Sequence, residues 1–279
     1  MEMSPVSARV FAGVLEQRTG QILSDARNWR LDVALDVLVR THGFVSADAV
    51  ASAVASGRDP RLSDAVMEAL LNHETSFYRD PNMFRLILDR AVPQLMAARP
   101  GRALRIWSAG CSTGQEAYSL AMALNETAAL AGWTIDIVAT DVSPVAVAQA
   151  RAGRYSQFEI QRGLPVRQMV RWFAGQDDEW LARPELRARV RFHTLSLLDP
   201  PPLPGRFDIV LCRNVLFYFA PDVRRRAFDR LGDGVAADGY LVLGAGETAI
   251  GQTDRFASDP AQHGLYRPVA ATATARPLT

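Results

Sequence analysis

The sequence predicts an α/β fold: a doubly wound, mostly parallel sheet with helices on both faces, preceded by an all-α segment. Three observations carry this. From residue 103 onward, short apolar runs alternate with helical stretches, the pattern of strand–helix–strand units. Residues 1–90 instead read as successive helices. Between the two regions' chemistry stands Arg105–Ser119, RIWSAGCSTGQEAYS, an apolar strand that enters a helix through a turn of small residues. Such a turn places free backbone N–H groups at the C-terminal edge of a parallel sheet, where open α/β sheets bind nucleotide-like cofactors.

Taken in order, Phe11–Arg18 reads as a short helix, and Trp29–Arg40 sets Leu31, Ala34, Leu35 and Leu38 on one face. Ser46–Ala55 is Ala/Val-rich, and Ser63 is expected to cap a helix over Asp64–Leu71. Phe84–Met96 is amphipathic but interrupted near Pro93, and Arg99–Arg102, RPGR, reads as a turn-like linker. The expected strands are Leu104–Trp107, Ile135–Ala139, Val190–Thr194, Phe207–Cys212 and Tyr240–Leu243. The helices between them are Ala117–Leu130, Val145–Ala152, Leu164–Phe173 and Val223–Leu231. Extra material lies between Arg154 and Val190, where Trp180–Arg183 and Arg187–Phe192 are expected to form a small hairpin about Pro184 and Glu185. The division expected is a helical domain over 1–92, a cofactor-binding domain over 93–270 with a small β-insert at about 154–192, and a disordered tail over 271–279.

Composition narrows the function. With 48% apolar and 22% charged residues, the 279-residue chain can bury an ordinary core. A net charge of +1 gives no global case for nucleic acid or membrane binding. The opening MEMSPVSARV carries an acid and no apolar core, so a secretory leader is not expected, nor is a transmembrane helix. Two cysteines make neither a disulfide framework nor a zinc site, and a reducing cytoplasm is the simplest home. Every one of the 31 basic residues is arginine, which removes Schiff-base chemistry and a Walker-type phosphate lysine.

Four clusters carry the chemistry. The first is the turn itself, where Ala109, Gly110 and Gly114 allow close approach of a ligand but do not spell the dinucleotide pattern GxGxxG. The second is IDIVATD, in which Asp141 ends a strand; it is placed either to take two ribose hydroxyls or to cap the helix that begins at Pro144. The third is FDIVLCRNVLFYF, where the polar Arg213 and Asn214 follow a strand and Tyr218 brings a phenol nearby. The fourth is NHETSFYR over Asn72–Arg79, the densest polar cluster outside the sheet region, read either as a capped loop or as part of the site. Cys111 and Cys212, at strand ends, are candidates for buried inert thiols or a redox-sensitive one.

NHETSFYRD, RIWSAGCSTGQEAYSLAM, ATDVSP and FDIVLCRNVLFYF, in that order, together with GYLVLGAGET, resemble the CheR-type chemotaxis receptor methyltransferases over roughly residues 15–268. The resemblance implies a class I methyltransferase (Rossmann-like) domain that binds S-adenosyl-L-methionine and releases S-adenosyl-L-homocysteine. It also implies the inserted β-subdomain, the helical N-terminal domain, and a substrate: glutamate side chains in the cytoplasmic helical domain of a chemoreceptor. Carried over by motif, His73, Thr75, Arg79, Glu116, Asp141, Ser196, Leu197, Arg213 and Asn214 are the expected cofactor contacts. Arg79 and Tyr218 are the expected catalytic pair, and no metal is implied. Three positions depart from the family pattern: His73 and Ser196 stand where it shows Asn, and Gln115 stands where it shows an acid. For the receptor-facing surface, Arg27, Arg30 and Arg40 are candidates for a basic face. The competing readings are a small-molecule methyltransferase on the same fold and a non-catalytic module that binds the same cofactor.

Overall fold

The computed structural model of the chain describes residues 3–23, 28–202, 207–262 and 264–269, with residues 28–33 described as backbone only. Arg27, the Arg30 and Leu31 side chains, His263 and the 271–279 tail therefore lie outside the described residues. The chain forms two compact units, one of residues 1–73 with 217–223, the other of residues 74–216 with 224–279.

The first unit holds four helices, α1 (Pro5–Thr19), α2 (Asn28–His42), α3 (Ala47–Ala55) and α4 (Pro60–Leu70). Ser4 caps α1 by accepting from Ser7 N–H at 3.2 Å, with Pro5 preset in the first turn. Ser46 caps α3 in the same way through Ala49 N–H. α4 begins four residues earlier than Ser63 predicts: Asp59 takes the Arg61 and Leu62 N–H groups at 2.9 and 3.3 Å, and Pro60 opens the helix. An acid followed by proline is the stronger start signal, and it overrides the serine. Phe11, Leu35, Leu38, Val50, Leu62 and Val66 form the core of this unit. Residues 217–223 join it through an antiparallel bridge of Gln21 with Phe219 and a 2.8 Å hydrogen bond from Ile22 N–H to Tyr218 O.

The second unit opens with α5 (Pro81–Leu86), a π-helical turn over Ile87–Ala91, and α6 (Val92–Ala98). Pro93 has no N–H and its ring crowds the carbonyl four residues back. The ladder widens there, with Val92 N–H bonding Ile87 O, and the helix continues instead of ending. Strands and helices then alternate: β1 (Ala103–Ala109), α7 (Gln115–Glu126), β2 (Thr134–Asp141), α8 (Pro144–Ala152), β3 (Arg154–Ser156), α9 (Gln157–Gln161), α10 (Val166–Trp172), β4 (Phe173–Gln176), β5 (Glu179–Ala182), α11 (Pro184–Arg187), β6 (Val190–Thr194), β7 (Phe207–Cys212), α12 (Pro221–Gly234), β8 (Val235–Leu243), β9 (Phe256–Ser258) and β10 (Leu265–Pro268).

The large sheet runs β6-β2-β1-β7-β8-β10-β9, parallel across its first five strands and antiparallel at β10 and β9. Its register brings Ala109 beside both Thr140 and Cys212, so the ends of β1, β2 and β7 share one edge. A smaller antiparallel sheet, β3-β5-β4, fills the insert. Its hairpin is not the expected one. β4 and β5 pair from Phe173–Ala182 to Gln176–Glu179 about a two-residue turn with Asp177 at φ 54°, whereas Pro184–Arg187 is helical and Val190–Thr194 joins the large sheet. Tyr155, Phe173, Tyr118 and Phe192 are buried in contact across the two sheets. Among the described residues, no helix is long and apolar enough to cross a membrane.

Candidate active site

The turn between β1 and α7 is held from three sides. Gly110 and Gly114 adopt φ of 81° and 95°, and Ser112 between them sits at φ 50°. A Cβ at Gly110 would lie 2.6 Å from Val215 Cγ2, and one at Gly114 would lie 2.8 Å from Ala150 Cβ. Both positions therefore need glycine for space as well as for φ. The Gly110 and Cys111 N–H groups bond Thr140 O, while Tyr155 from the small sheet donates its hydroxyl to Thr113 O at 2.8 Å. Asp141, at the end of β2, accepts from Ser112 N–H at 2.8 Å and Ser143 N–H at 3.0 Å. The cap of α8 is Ser143, whose hydroxyl takes Ala146 N–H at 2.9 Å. That disposes of the capping role for Asp141, whose half-buried carboxylate faces the turn.

Next to the turn, Arg213 lies almost wholly buried, its side chain 2% exposed. One terminal nitrogen donates to Glu116 Oε2 at 2.9 Å; the other donates to Arg79 O at 3.0 Å and stands 3.5 Å from Asp80. Glu116 takes its second hydrogen bond from Ser108 Oγ at 2.8 Å. The Nε–H of Arg213 is buried with no hydrogen-bond partner among the described residues. A buried charged donor left unpaired is costly, so this atom marks where an acceptor belongs. Strain gathers at the same place: Tyr78, Asp80, Ser112 and Asn214 all have positive φ.

The loop Glu74–Asp80 is a packed part of this unit rather than a simple connector. Phe77 is fully buried, edge-on to Tyr155 and Phe173 with centroids 5.1 and 5.5 Å away. A Cβ at Gly163 would overlap the Phe77 carbonyl, which shows how closely the two backbones approach. Tyr78 N–H donates to Ser119 Oγ, which itself bonds Gln115 O in α7. Gln115 accepts from Thr113 through its side chain and is 2% exposed, so its role is internal. Thr75 is half-buried, and the Arg79 guanidinium gives one hydrogen bond, to Glu74 O at 3.0 Å.

The sequence-predicted residues thus divide. Arg79, Glu116 and Arg213 come together in one network, with Asp141 on the adjoining turn. Asn214 follows directly, its backbone N–H bonded to Glu247. Ser196 closes its own turn by accepting Leu198 N–H and donating its N–H to Asp199, and Leu197 is buried. His73 and Tyr218 belong to the first unit. There His73 Nε2 stands 2.9 Å from Glu68, and the Tyr218 hydroxyl accepts from Asn72 Nδ2 at 2.7 Å. Arg40 is exposed on α2 and bonds Asp36 O. Both cysteines are buried and their thiols are pushed well above the ordinary range, first by burial and then by the neighbouring carboxylates, so neither is a ready nucleophile. Sequence reasoning missed Ser108, Asp80 and Glu247. All three stood inside motifs already singled out, Ser108 in RIWSAGCSTGQEAYS, Asp80 at the end of NHETSFYRD and Glu247 in GYLVLGAGET, but none of them had been given a role.

A family description reading "CheR methyltransferase, SAM binding domain" matches residues 73–265. Among curated proteins, the chain is 35% identical over 263 residues to chemotaxis protein methyltransferase 1 of Pseudomonas aeruginosa, covering 92% of this chain and 95% of that one. It is 33% identical over 252 residues to a chemotaxis protein methyltransferase of Vibrio parahaemolyticus, covering 89% and 91%.

Proposed function

The chain belongs to the CheR methyltransferase family, and from that premise we propose that it methylates glutamate side chains in the cytoplasmic helical domain of a chemoreceptor, forming glutamyl methyl esters during sensory adaptation. It is an S-adenosyl-L-methionine-dependent methyltransferase of chemotaxis. The proposal adds the acceptor, the residues that serve the reaction, and a cytoplasmic setting.

One observation carries the assignment of residues: a glycine turn that a Cβ would fill, with a carboxylate at the next strand end and an unpaired buried Arg213 Nε–H beside it. This donor and acceptor set fits a nucleoside that carries a carboxylate and an amino group. Asp141 would accept from the ribose hydroxyls, Glu116 would face the amino end, and Arg213 Nε would donate to the carboxylate. Thr75, Asn214, Ser196 and Leu197 would complete the wall. When bound, the cofactor supplies an electrophilic methyl group on a sulfonium centre.

The acceptor chemistry needs little else. A glutamate carboxylate, with a reference pKa of about 4.3, is already anionic at neutral pH and attacks without a general base. The chain's task is then alignment and exclusion of water, and alignment alone can be worth roughly 7–11 kcal/mol in favourable cases. Arg79, with a single backbone hydrogen bond on its guanidinium, is suited to orient the incoming carboxylate in a bidentate grip.

Two measurements test this. With radiolabelled cofactor and a receptor cytoplasmic domain, label should appear as base-labile methyl esters; label on a small molecule or on nucleic acid would end the acceptor assignment. By calorimetric titration, Asp141→Ala should weaken cofactor binding at least about tenfold, equivalent to ~1.4 kcal/mol. Unchanged affinity would remove Asp141 from the site.

A further inference from the structure

The loop that follows β7 carries Arg213 and Asn214, and its backbone is held by a carboxylate more than thirty residues away. Glu247 Oε2 accepts from Asn214 N–H at 2.6 Å and Gly244 N–H at 3.0 Å, while Oε1 accepts from Val215 N–H at 3.0 Å and Leu216 N–H at 2.8 Å. Three of these donors are consecutive and lead into a 3-10 turn over Leu216–Tyr218. Successive N–H groups of this kind have no partner in their own ladder and attract an anion. A second residue records the same closeness. A Cβ at Gly244 would lie 2.7 Å from Glu247 Oε2 and 3.0 Å from Asn214 N, so no other residue fits there without displacing the clamp.

We propose that Glu247 is a positioning residue for cofactor binding: its carboxylate fixes the backbone of residues 214–216 and thereby the placement of Arg213 and Asn214. The inference rests on the reading of those two residues as part of the cofactor site. Asn214 stands at φ 60°, a left-handed conformation that persists only where surroundings hold it. Two of Glu247's four hydrogen bonds fall on Asn214 and its neighbour Val215. With the carboxylate removed, the loop would keep its sequence and lose the geometry in which the Arg213 guanidinium enters the site. Four charge-assisted bonds make the carboxylate, rather than its size, the active feature.

The test is calorimetric titration of the full chain with S-adenosyl-L-homocysteine, with thermal melting run alongside. Glu247→Ala should weaken binding by about tenfold or more at a temperature where the variant remains folded. Formate added to Glu247→Ala should restore part of the affinity, because a small carboxylate can occupy the four N–H groups; chloride at equal ionic strength should not. Glu247→Gln should bind weakly and resist rescue, since its amide nitrogen faces donors and fills the space. Wild-type affinity in either variant would overturn the proposal, as would a loss in Glu247→Ala that formate does not touch. The wild-type control keeps this separate from the function itself. If the unaltered chain bound no S-adenosyl-L-homocysteine, the cofactor site assignment would fall first.

Discussion

At the N-terminal edge of the large sheet, Arg99 lies between Asp208 and Asp238; at the C-terminal edge, Arg213 lies between Glu116 and Asp80. Each is a guanidinium between two carboxylates, but the details differ. Arg99 is 22% exposed, and all three of its nitrogens are used: Nε to Asp208 at 2.7 Å and the fork to both oxygens of Asp238 at 2.6 and 2.7 Å. Asp208 in turn takes Arg105 N–H at 2.7 Å, which pins the start of β1 to β7. Arg213 is 2% exposed, leaves Nε without a hydrogen-bond partner among the described residues, and stands beside Asp80 and Asn214, both in left-handed backbone. A satisfied, partly exposed arginine ties strands together. A buried one with a spare donor in strained surroundings fits the proposed role of receiving a ligand's carboxylate.

The largest effect expected from this contrast is at Arg213. Arg213→Met keeps the volume and strands the Glu116 and Asp80 carboxylates. Breaking a buried pair by removing one partner costs roughly 3–5 kcal/mol. Denaturant unfolding should show that loss, and cofactor titration well below the melting temperature should show weakened binding as well. Adding Glu116→Gln to Arg213→Met should recover part of the stability but not the binding. If the double variant regained both, Arg213 would be no different in kind from Arg99.

The two edges were also unequally legible in the sequence. Asp141, Glu116, Arg213 and Asn214 could be named because each follows directly on an apolar strand or a small-residue turn, and short-range pattern decides where those ends fall. Glu247 could not, because its role depends on which strand ends the sheet brings side by side, and Ser108 could not, because its bond to Glu116 depends on how the β1–α7 turn folds back rather than on strand alternation. Glu247 reaches its loop only because β7 and β8 are neighbours. The misplaced hairpin has a similar cause. Arg187–Phe192 overlaps β6, whose partner is β2, and that pairing outcompetes the local turn signal at Pro184 and Glu185. The strands β9 and β10 are three and four residues long, too short to show alternation against their surroundings.

An intermediate effect separates two glycines that share a positive φ. Gly110 at the C-terminal edge has Val215 where its Cβ would go, whereas Gly132, two residues before β2 at the other edge, has φ 76° and open space around it. Gly132→Ala should cost only backbone strain, of order 1 kcal/mol, and leave cofactor affinity as it was. Gly110→Ala adds a clash with Val215 and should cost roughly 1–3 kcal/mol more. It should also weaken binding, because Val215 belongs to the loop that Glu247 holds. Equal melting temperatures and equal affinities for the two variants would mean that crowding at the C-terminal edge has no bearing on the site.

The smallest effect is expected at Arg99, and pH identifies it. Hydrogen bonding to Arg99 holds the Asp238 carboxyl below the ordinary carboxylate range against the opposing effect of burial. A carboxyl whose folded value is depressed contributes stability above its unfolded value, near 3.9, and that contribution is lost as pH falls through the folded value. Arg99→Met should therefore cost about 1–2 kcal/mol at neutral pH, mainly by leaving the buried Asp208 without its charged donor. The gap in melting temperature between wild type and variant should be full at neutral pH and narrow, by the share that Asp238 contributes, as the medium is taken below about pH 4. Cofactor affinity at neutral pH should not change. Since Arg99 and Arg213 each bridge two carboxylates, an Arg99→Met variant that lost affinity would show that clamping the N-terminal edge is enough to shape the site. Unchanged affinity would locate the functional difference in Arg213's unpaired donor and its strained neighbours, not in the ion pairs the two arginines have in common.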